Sequence, residues 1–372
     1  MVKPDELLLL YAILEKNDDT AVAYYTQWIQ AVDFYNVEGG SFRLLPLLYK
    51  RMVKTGQIVT HLNKLKGIYR QSLYMNSLLF HKAFTVLAEL AKMGVPIILL
   101  KGTALVAAYY EDIGDRPMSD VDFLIREEDV EKTLRFLKEL GWRDKCGLLL
   151  NKAAKYIHSL DLQTLDGYEL DVHWFAFYQC CWDGADFSLW DKSETAAFKG
   201  LSVRLLSPTH QILHNCAHGI RWNPLSSIRW IVDVMKILEK RVDSIDWALL
   251  VSEAAERRLT VTMLYALSFL NSKFNAGIPE EVLNRLAALP KDQQEQRLFA
   301  ILTAPRRFGD ISYKWFMHSD SMGSAPFWKR AVLFPNFLKN FWELQALHQL
   351  PLYVLKRIKQ KLSNFINLST RT

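Results

Sequence analysis

Between residues 5 and 93, apolar side chains recur at mixed steps of three and four, the spacing of helices that bury one face. Leu7–Leu14, Ala21–Phe34 and Leu44–Met52 are three such runs, with Gly39-Gly40 as a break between them. A longer amphipathic stretch from His61 to Met93 is closed by Gly94. There the pattern changes. Val95-Pro-Ile-Ile-Leu-Leu100 is short and wholly apolar, as a buried strand would be. An Ala/Leu/Tyr-rich helix is expected from near Ala104 to about Glu111, then a loop over Gly114–Met118. Ser119-Asp-Val-Asp-Phe-Leu-Ile125 alternates polar and apolar residues and predicts a strand buried on one face. An amphipathic helix over Glu127–Leu140 ends at Gly141. Two strand-like runs, Tyr156–Leu165 and Tyr168–Trp174, then flank Asp166-Gly167, a hairpin signal. From about residue 186 helical periods return, most clearly over Pro208–Ala217, Ser227–Leu238, Asp246–Glu256, Thr260–Phe274 and Pro279–Leu289.

This order predicts an α+β protein in which a small mixed-sheet core is embedded between two helical regions. The expected boundaries are a helical amino-terminal arm over 1–93, an α/β core over 94–185 and a helical carboxyl-terminal region over 186–372.

Composition narrows the picture. The 372 residues are half hydrophobic and 23% charged, an ordinary globular balance that excludes a disordered chain or a small disulfide scaffold. No run of about 18 apolar residues suggests a spanning helix. The first residues lack the layout of a secretory signal. Of the 4 cysteines, Cys180 and Cys181 are adjacent, which suits reduced thiols, so a cytoplasmic protein is expected. The net charge of +6 is concentrated beyond residue 325, where Lys329, Arg330, Lys339, Lys356, Arg357, Lys359, Lys361 and Arg371 face a single acid, Glu343. The rest of the chain is close to neutral, so any nucleic-acid or membrane contact would rest on this tail. Its aromatic residues, among them Trp328, Phe334, Phe337, Phe341, Trp342 and Tyr353, suit a membrane surface or an RNA backbone. They equally suit a helical cap that buries its rings and leaves its cations in water.

The chemistry is carried by carboxylates. Asp120 and Asp122 lie two apart on a strand, so their side chains leave the same face. Glu169, Asp171 and His173 alternate in the same way along the second hairpin strand. A carboxylate pair with a third acid on a neighbouring strand makes a magnesium site for phosphoryl or nucleotidyl transfer. Upstream, Gly102-Thr103 lies where a strand turns into a helix, and free backbone N–H groups there can hold phosphate oxygens. Taken singly, D-x-D is also a solvated strand edge and Lys101-Gly102 a plain turn. Their combination in this order favours the chemical reading.

The motifs Leu99-Leu-Lys-Gly-Thr-Ala-Leu105, Tyr109-Tyr-Glu-Asp112, Arg116 and Ser119-Asp-Val-Asp-Phe-Leu124 resemble the uncharacterised nucleotidyltransferase family of the DNA polymerase β-like superfamily. The resemblance extends through Glu169-Leu-Asp-Val-His-Trp174, Leu206-Ser-Pro-Thr-His-Gln-Ile-Leu-His214 with His218, Arg229-Trp-Ile-Val-Asp233, Asp246-Trp247 and Leu333-Phe-Pro335. The chain departs from the superfamily pattern in having Thr103 for Ser and a longer spacer before Asp120. The resemblance implies a nucleotidyltransferase core in which Asp120, Asp122 and Asp171 hold two Mg²⁺ ions, with Gly102 and Thr103 at the phosphates of ATP or another NTP. Asp171 is preferred to Glu169 because it precedes the His-Trp pair. Lys101 and Arg116 are candidates to neutralise phosphate, or else pair locally with Asp112, Asp115 or Asp120. His173, His214 and His218 are candidate acceptor contacts.

His210, His214, Cys216 and His218 also invite a zinc reading, but no H-E-x-x-H and no third ligand at useful spacing accompany them. Trp174, Phe175, Phe177 and Tyr178 could stack on a base, yet read more simply as core. Arg229 and Asp233, four apart, are expected to pair with each other or with the core. The expected activity is Mg²⁺-dependent transfer of a nucleoside monophosphate, AMP from ATP, to a hydroxyl or phosphate of a small-molecule or peptide acceptor, with nucleic acid less favoured. The alternative is a non-catalytic nucleotide-binding or scaffold protein whose basic tail binds a membrane surface or RNA.

Overall fold

The computed structural model describes residues 2–144, 158–221, 228–304, 311–322, 325–342 and 344–355. The amino-terminal arm is helical, as its periodicity requires. Its first helix, Pro4–Leu14, begins with proline inside the first turn, where a missing N–H costs nothing. Asn17 caps the second, Asp18–Ala31, by accepting from Thr20 N at 2.9 Å. Gly39–Phe42 forms a short helical turn where a break was expected. Leu62–Lys92 is a single 31-residue helix.

The sheet has seven strands in the order β3-β4-β5-β2-β1-β7-β6. These are β1 (Ile98–Leu99), β2 (Asp120–Leu124), β3 (Arg143–Asp144), β4 (Ser159–Gln163), β5 (Glu169–His173), β6 (Glu194–Phe198) and β7 (Leu201–Leu205). The expected Val95–Leu100 strand shrinks to two residues, because Pro96 has no N–H to donate and Leu100 already caps the next helix. At the centre, β2 runs parallel to β5 and antiparallel to β1. The expected 156–174 hairpin supplies β4 and β5, although the start of its first strand, Tyr156, lies outside the described residues.

The β6–β7 hairpin was not anticipated. It extends the sheet beyond residue 185, and β7 pairs in parallel with β1. Its turn is Lys199-Gly200, with φ of 52° and 80°. Two successive left-handed residues are the tight turn that matches strand twist. Lysine is a poor advertisement for such a turn, and the alternation Glu-Thr-Ala-Ala-Phe is weak.

Helices then return over Pro208–Gly219, Arg229–Arg241, Trp247–Glu256, Thr260–Phe274 and Glu280–Ala288, close to expectation. Ser227, where one was expected to start, is outside the described residues. One buried apolar cluster runs from Leu9 to Leu286 through the arm, the sheet and these helices. Trp174, Phe175, Phe177 and Tyr178 are buried, in keeping with a core role. Past residue 290, Ile311–Ser321 and Phe327–Phe341 pack together through Trp315, whose ring centroid lies 5.0 Å from that of Phe334. Phe327 and Trp328 remain exposed there, so the tail is only partly a buried cap. The cations from Lys356 onward lie outside the described residues.

Candidate active site

Parallel pairing sets β2 against β5 with Asp120 opposite Glu169 and Asp122 opposite Asp171. In-register residues on neighbouring strands leave the same face, so period-two alternation alone brings these four acids to one side of the sheet. The two inner acids, Asp122 and Asp171, are buried. His173 Nε2 lies 2.7 Å from Asp171 Oδ2 and 3.6 Å from Asp122 Oδ1. Lys101 reaches in from the strand-to-helix turn, its Nζ 2.6 Å from Asp122 Oδ1 and 3.0 Å from Asp171 Oδ2. Asp122, Asp171 and His173 offer ligand atoms within 4.8 Å of one another, the group among the described residues that could hold a metal ion.

Electrostatics follow from this crowding. Burial pushes Asp171 upward, but His173 and Lys101 outweigh it and hold the carboxyl well below its ordinary range. Burial likewise opposes the charged forms of Lys101 and His173, and the acids reverse this, raising both. Asp120 stands at the outer edge, half-buried, next to Ser119 Oγ at 3.3 Å. The neighbouring Asp122 charge, helped by burial, pushes it up to about 6. Asp120 is therefore part of the same field but not of the compact Asp122–Asp171–His173 group.

The helix after β1 starts at Lys101, three residues earlier than expected, and runs to Ala108. Lys101 has φ 44°, the left-handed region, which costs a non-glycine residue about 1–2 kcal/mol. Gly102 lies in the first turn and faces Arg116 so closely that a Cβ there would meet the guanidinium Nη1, with Met118 Sδ at 2.9 Å. Thr103 is fully buried and, unlike Gly102, does not line the adjoining cleft. Gly102→Val is expected to force Arg116 aside. Overpacking of this kind costs about 1–3 kcal/mol. A lower denaturation midpoint, together with weaker nucleotide binding by calorimetry, would show it; unchanged values for both would mean that the contact is slack.

Arg116 does not pair with Asp112, Asp115 or Asp120. Its Nε and Nη2 meet Asp233 Oδ1 and Oδ2 at 2.9 Å each, and the Tyr110 hydroxyl donates to Oδ1 at 2.6 Å. Of the two expected alternatives for Arg229 and Asp233, pairing with each other or with the core, Asp233 takes the second. Arg229 instead donates to Pro117 O at 2.6 Å. Asn76, from the long helix, donates to Arg116 O at 2.9 Å and accepts from Met118 N at 3.1 Å. The long spacer before Asp120 is thus pinned at both ends of its turn.

These residues surround a cleft of about 430 Å³, within the usual size range of small-ligand sites. Its lining includes Asp120 and Asp122 with Lys101, and Arg43, Arg116 and Arg229 with Asp233. Arg229 is pulled down to about 9, chiefly by burial and then by the Arg116 charge, against the opposing pull of Asp233. Sequence reasoning passed over Arg43 and left Arg229 to pair with Asp233 or with the core, and its bond to Pro117 O is of the second kind. Arg43 has no local signal, since only the packing of the arm brings it to the cleft.

The histidines divide. His218 lines the cleft, with Nε2 3.3 Å from Ala176 O. His214 is fully buried with its ring 4.3 Å from that of His218 and 5.5 Å from Phe177. Burial holds both well below the usual imidazole range. The His210 ring nitrogens bond Ser207 Oγ at 3.0 Å and Ser188 Oγ at 3.3 Å, Ser207 Oγ caps the helix by accepting from His210 N at 3.4 Å, and no zinc constellation with Cys216 forms among the described residues.

Residues 41–275 match the family described as uncharacterised nucleotidyltransferase. No curated protein matches the chain. Among solved structures, the lincomycin-bound lincosamide antibiotic adenylyltransferase LnuA is 15% identical and aligns over 42% of this chain and 94% of its own, with a TM-score of 0.31. The antibiotic-resistance factor ANT(2'')-Ia is 16% identical over 53% and 99%, with a TM-score of 0.33. A nucleotidyltransferase-like protein from Paracoccidioides brasiliensis is 14% identical over 60% and 94%, with a TM-score of 0.34.

Proposed function

The chain belongs to the uncharacterised nucleotidyltransferase family, and from that premise we propose that it transfers AMP from ATP to a hydroxyl or phosphate oxygen of a small-molecule or peptide acceptor. The observation that carries this is a cleft lined by both signs of charge. Asp120 and Asp122 line it together with Lys101, Arg43 and Arg229. A nucleoside triphosphate with a divalent cation complements both sets of charges, the cation toward the acids and the phosphates toward the arginines.

The residues fit a divalent ion. Asp122 and Asp171 supply hard oxygen donors, and buried Asp171 Oδ1 has no hydrogen-bond partner. Asp122, Asp171 and, from the rim, Asp120 would hold Mg²⁺, with room in the reading for two ions. Bound there, it would neutralise phosphate charge and favour ionisation of the acceptor hydroxyl. The chain's own groups do the rest. Arg43 and Arg229 orient the phosphates, Gly102 makes room for the Arg116 guanidinium beside the helix start, and His218 faces the acceptor side. The acceptor oxygen forms a bond to the α-phosphorus as the α–β bridging bond breaks, the hydroxyl proton passes to solvent, and pyrophosphate leaves. A near-neutral body disfavours a long nucleic acid as acceptor. Among the described residues no helix is long and apolar enough to cross a membrane. Contact of the basic tail with a membrane surface is a separate proposal.

The test is incubation with each α-labelled NTP, Mg²⁺ and a metabolite extract. Pyrophosphate release matched by label in a new product is expected, greatest with ATP. Label that stays in the nucleotide under every condition would overturn the reading.

A further inference from the structure

The site contains a cation of its own. Lys101 Nζ sits 2.6 Å from Asp122 and 3.0 Å from Asp171, among the same oxygens on which a metal would be held. Two buried carboxylates on adjacent strands cannot both stay ionised without a counter-charge, and Lys101 supplies it. The lysine comes from the cleft side: its side chain is 28% exposed, against 4% for Asp122 and 9% for Asp171. It is aimed inward by a left-handed backbone angle that lysine would not adopt without a compensating contact. Lys101 also lines the cleft, so its ammonium lies next to the space a ligand would fill.

We propose that Lys101 is an exchangeable internal counter-ion. It holds the acid pair until a divalent cation takes its place, then turns its ammonium into the cleft to meet the triphosphate. The idea rests on the nucleotide reading above and adds to it a fixed order of charge exchange. Ammonium and metal compete for the same oxygens, so each site filled by one is closed to the other. A triphosphate that gives the ammonium a new partner relieves that competition, and the coupling is reciprocal.

The experiment measures Mn²⁺ affinity of the full chain by titration calorimetry, without nucleotide, for wild type, Lys101→Met and Lys101→Gln. Separately, affinity for a non-hydrolysable ATP analogue is measured at saturating Mn²⁺. Both variants should bind Mn²⁺ about tenfold tighter or more than wild type, within the usual range of such couplings, and bind the analogue more weakly. Because loss of the counter-ion destabilises the metal-free acids, Mn²⁺ should also raise the melting temperature of Lys101→Met more than that of wild type. Lys101→Gln keeps a polar chain of similar length and serves if the methionine variant does not fold. Wild type that binds Mn²⁺ and the analogue, beside variants that bind Mn²⁺ no tighter, overturns the exchange alone. Wild type that binds neither overturns the nucleotide reading beneath it.

Discussion

Asp122→Asn should lower nucleotidyl transfer by on the order of 10³-fold while leaving the fold intact. Asp122 is the one acid shared by the buried Asp122–Asp171–His173 group and the lining of the cleft. Its loss removes a donor from the metal site and the largest charge acting on Asp120. Stability should hold or rise. In the native chain one ammonium, Lys101, serves two carboxylates. The variant leaves a balanced Lys101–Asp171 pair, so like-charge repulsion falls while the lysine keeps a partner. Single-turnover transfer of labelled AMP and a urea denaturation curve check the two halves. A variant that retains near-native transfer, or one that unfolds, would remove Asp122 from the catalytic role.

Asp233→Ala should act in the opposite sense, on stability first. It strands the buried Arg116 guanidinium and leaves the Tyr110 hydroxyl without its acceptor. Breaking a buried pair from one side costs about 3–5 kcal/mol, because an uncompensated charge remains. Arg229, already short of negative neighbours, makes the surplus worse. The double variant Arg116→Met/Asp233→Leu should recover much of the loss, since it removes both charges. Denaturant midpoints decide this. A single variant within about 1 kcal/mol of wild type would mean that water reaches the pair and the burial argument fails.

These two aspartates show what was legible in the sequence. Asp122 could be found from alternation: period two puts Asp122 with Asp120 on one face of β2, and Asp171 with Glu169 and His173 on one face of β5, while the register decides whether those faces coincide. Which acids close into the compact group could not. The register of β2 on β5 and the reach of Lys101 decide that, and they leave Asp120 at the rim and draw His173 in. The Arg116–Asp233 pair links residues 117 apart, with no periodicity to announce it, and it displaced the short-range partners that spacing suggested. Helix existence was legible nearly throughout, because amphipathic spacing repeats over many residues. The start at Lys101 was not. A lysine in the left-handed region begins that helix only because two acids await its side chain.

The β6–β7 hairpin carries a consequence for how the catalytic unit can be divided. β1 contributes only two residues to the sheet, and β7 covers its far side in parallel register. A fragment ending near residue 185 would bare Ile98 and Leu99 as a short, wholly apolar edge at the middle of the sheet, beside the turn that presents Lys101. Exposed apolar edges recruit other strands and seed self-association. The smallest piece of this chain that keeps β1 covered on both sides therefore reaches Leu205, and a boundary near residue 185 would cut through the sheet.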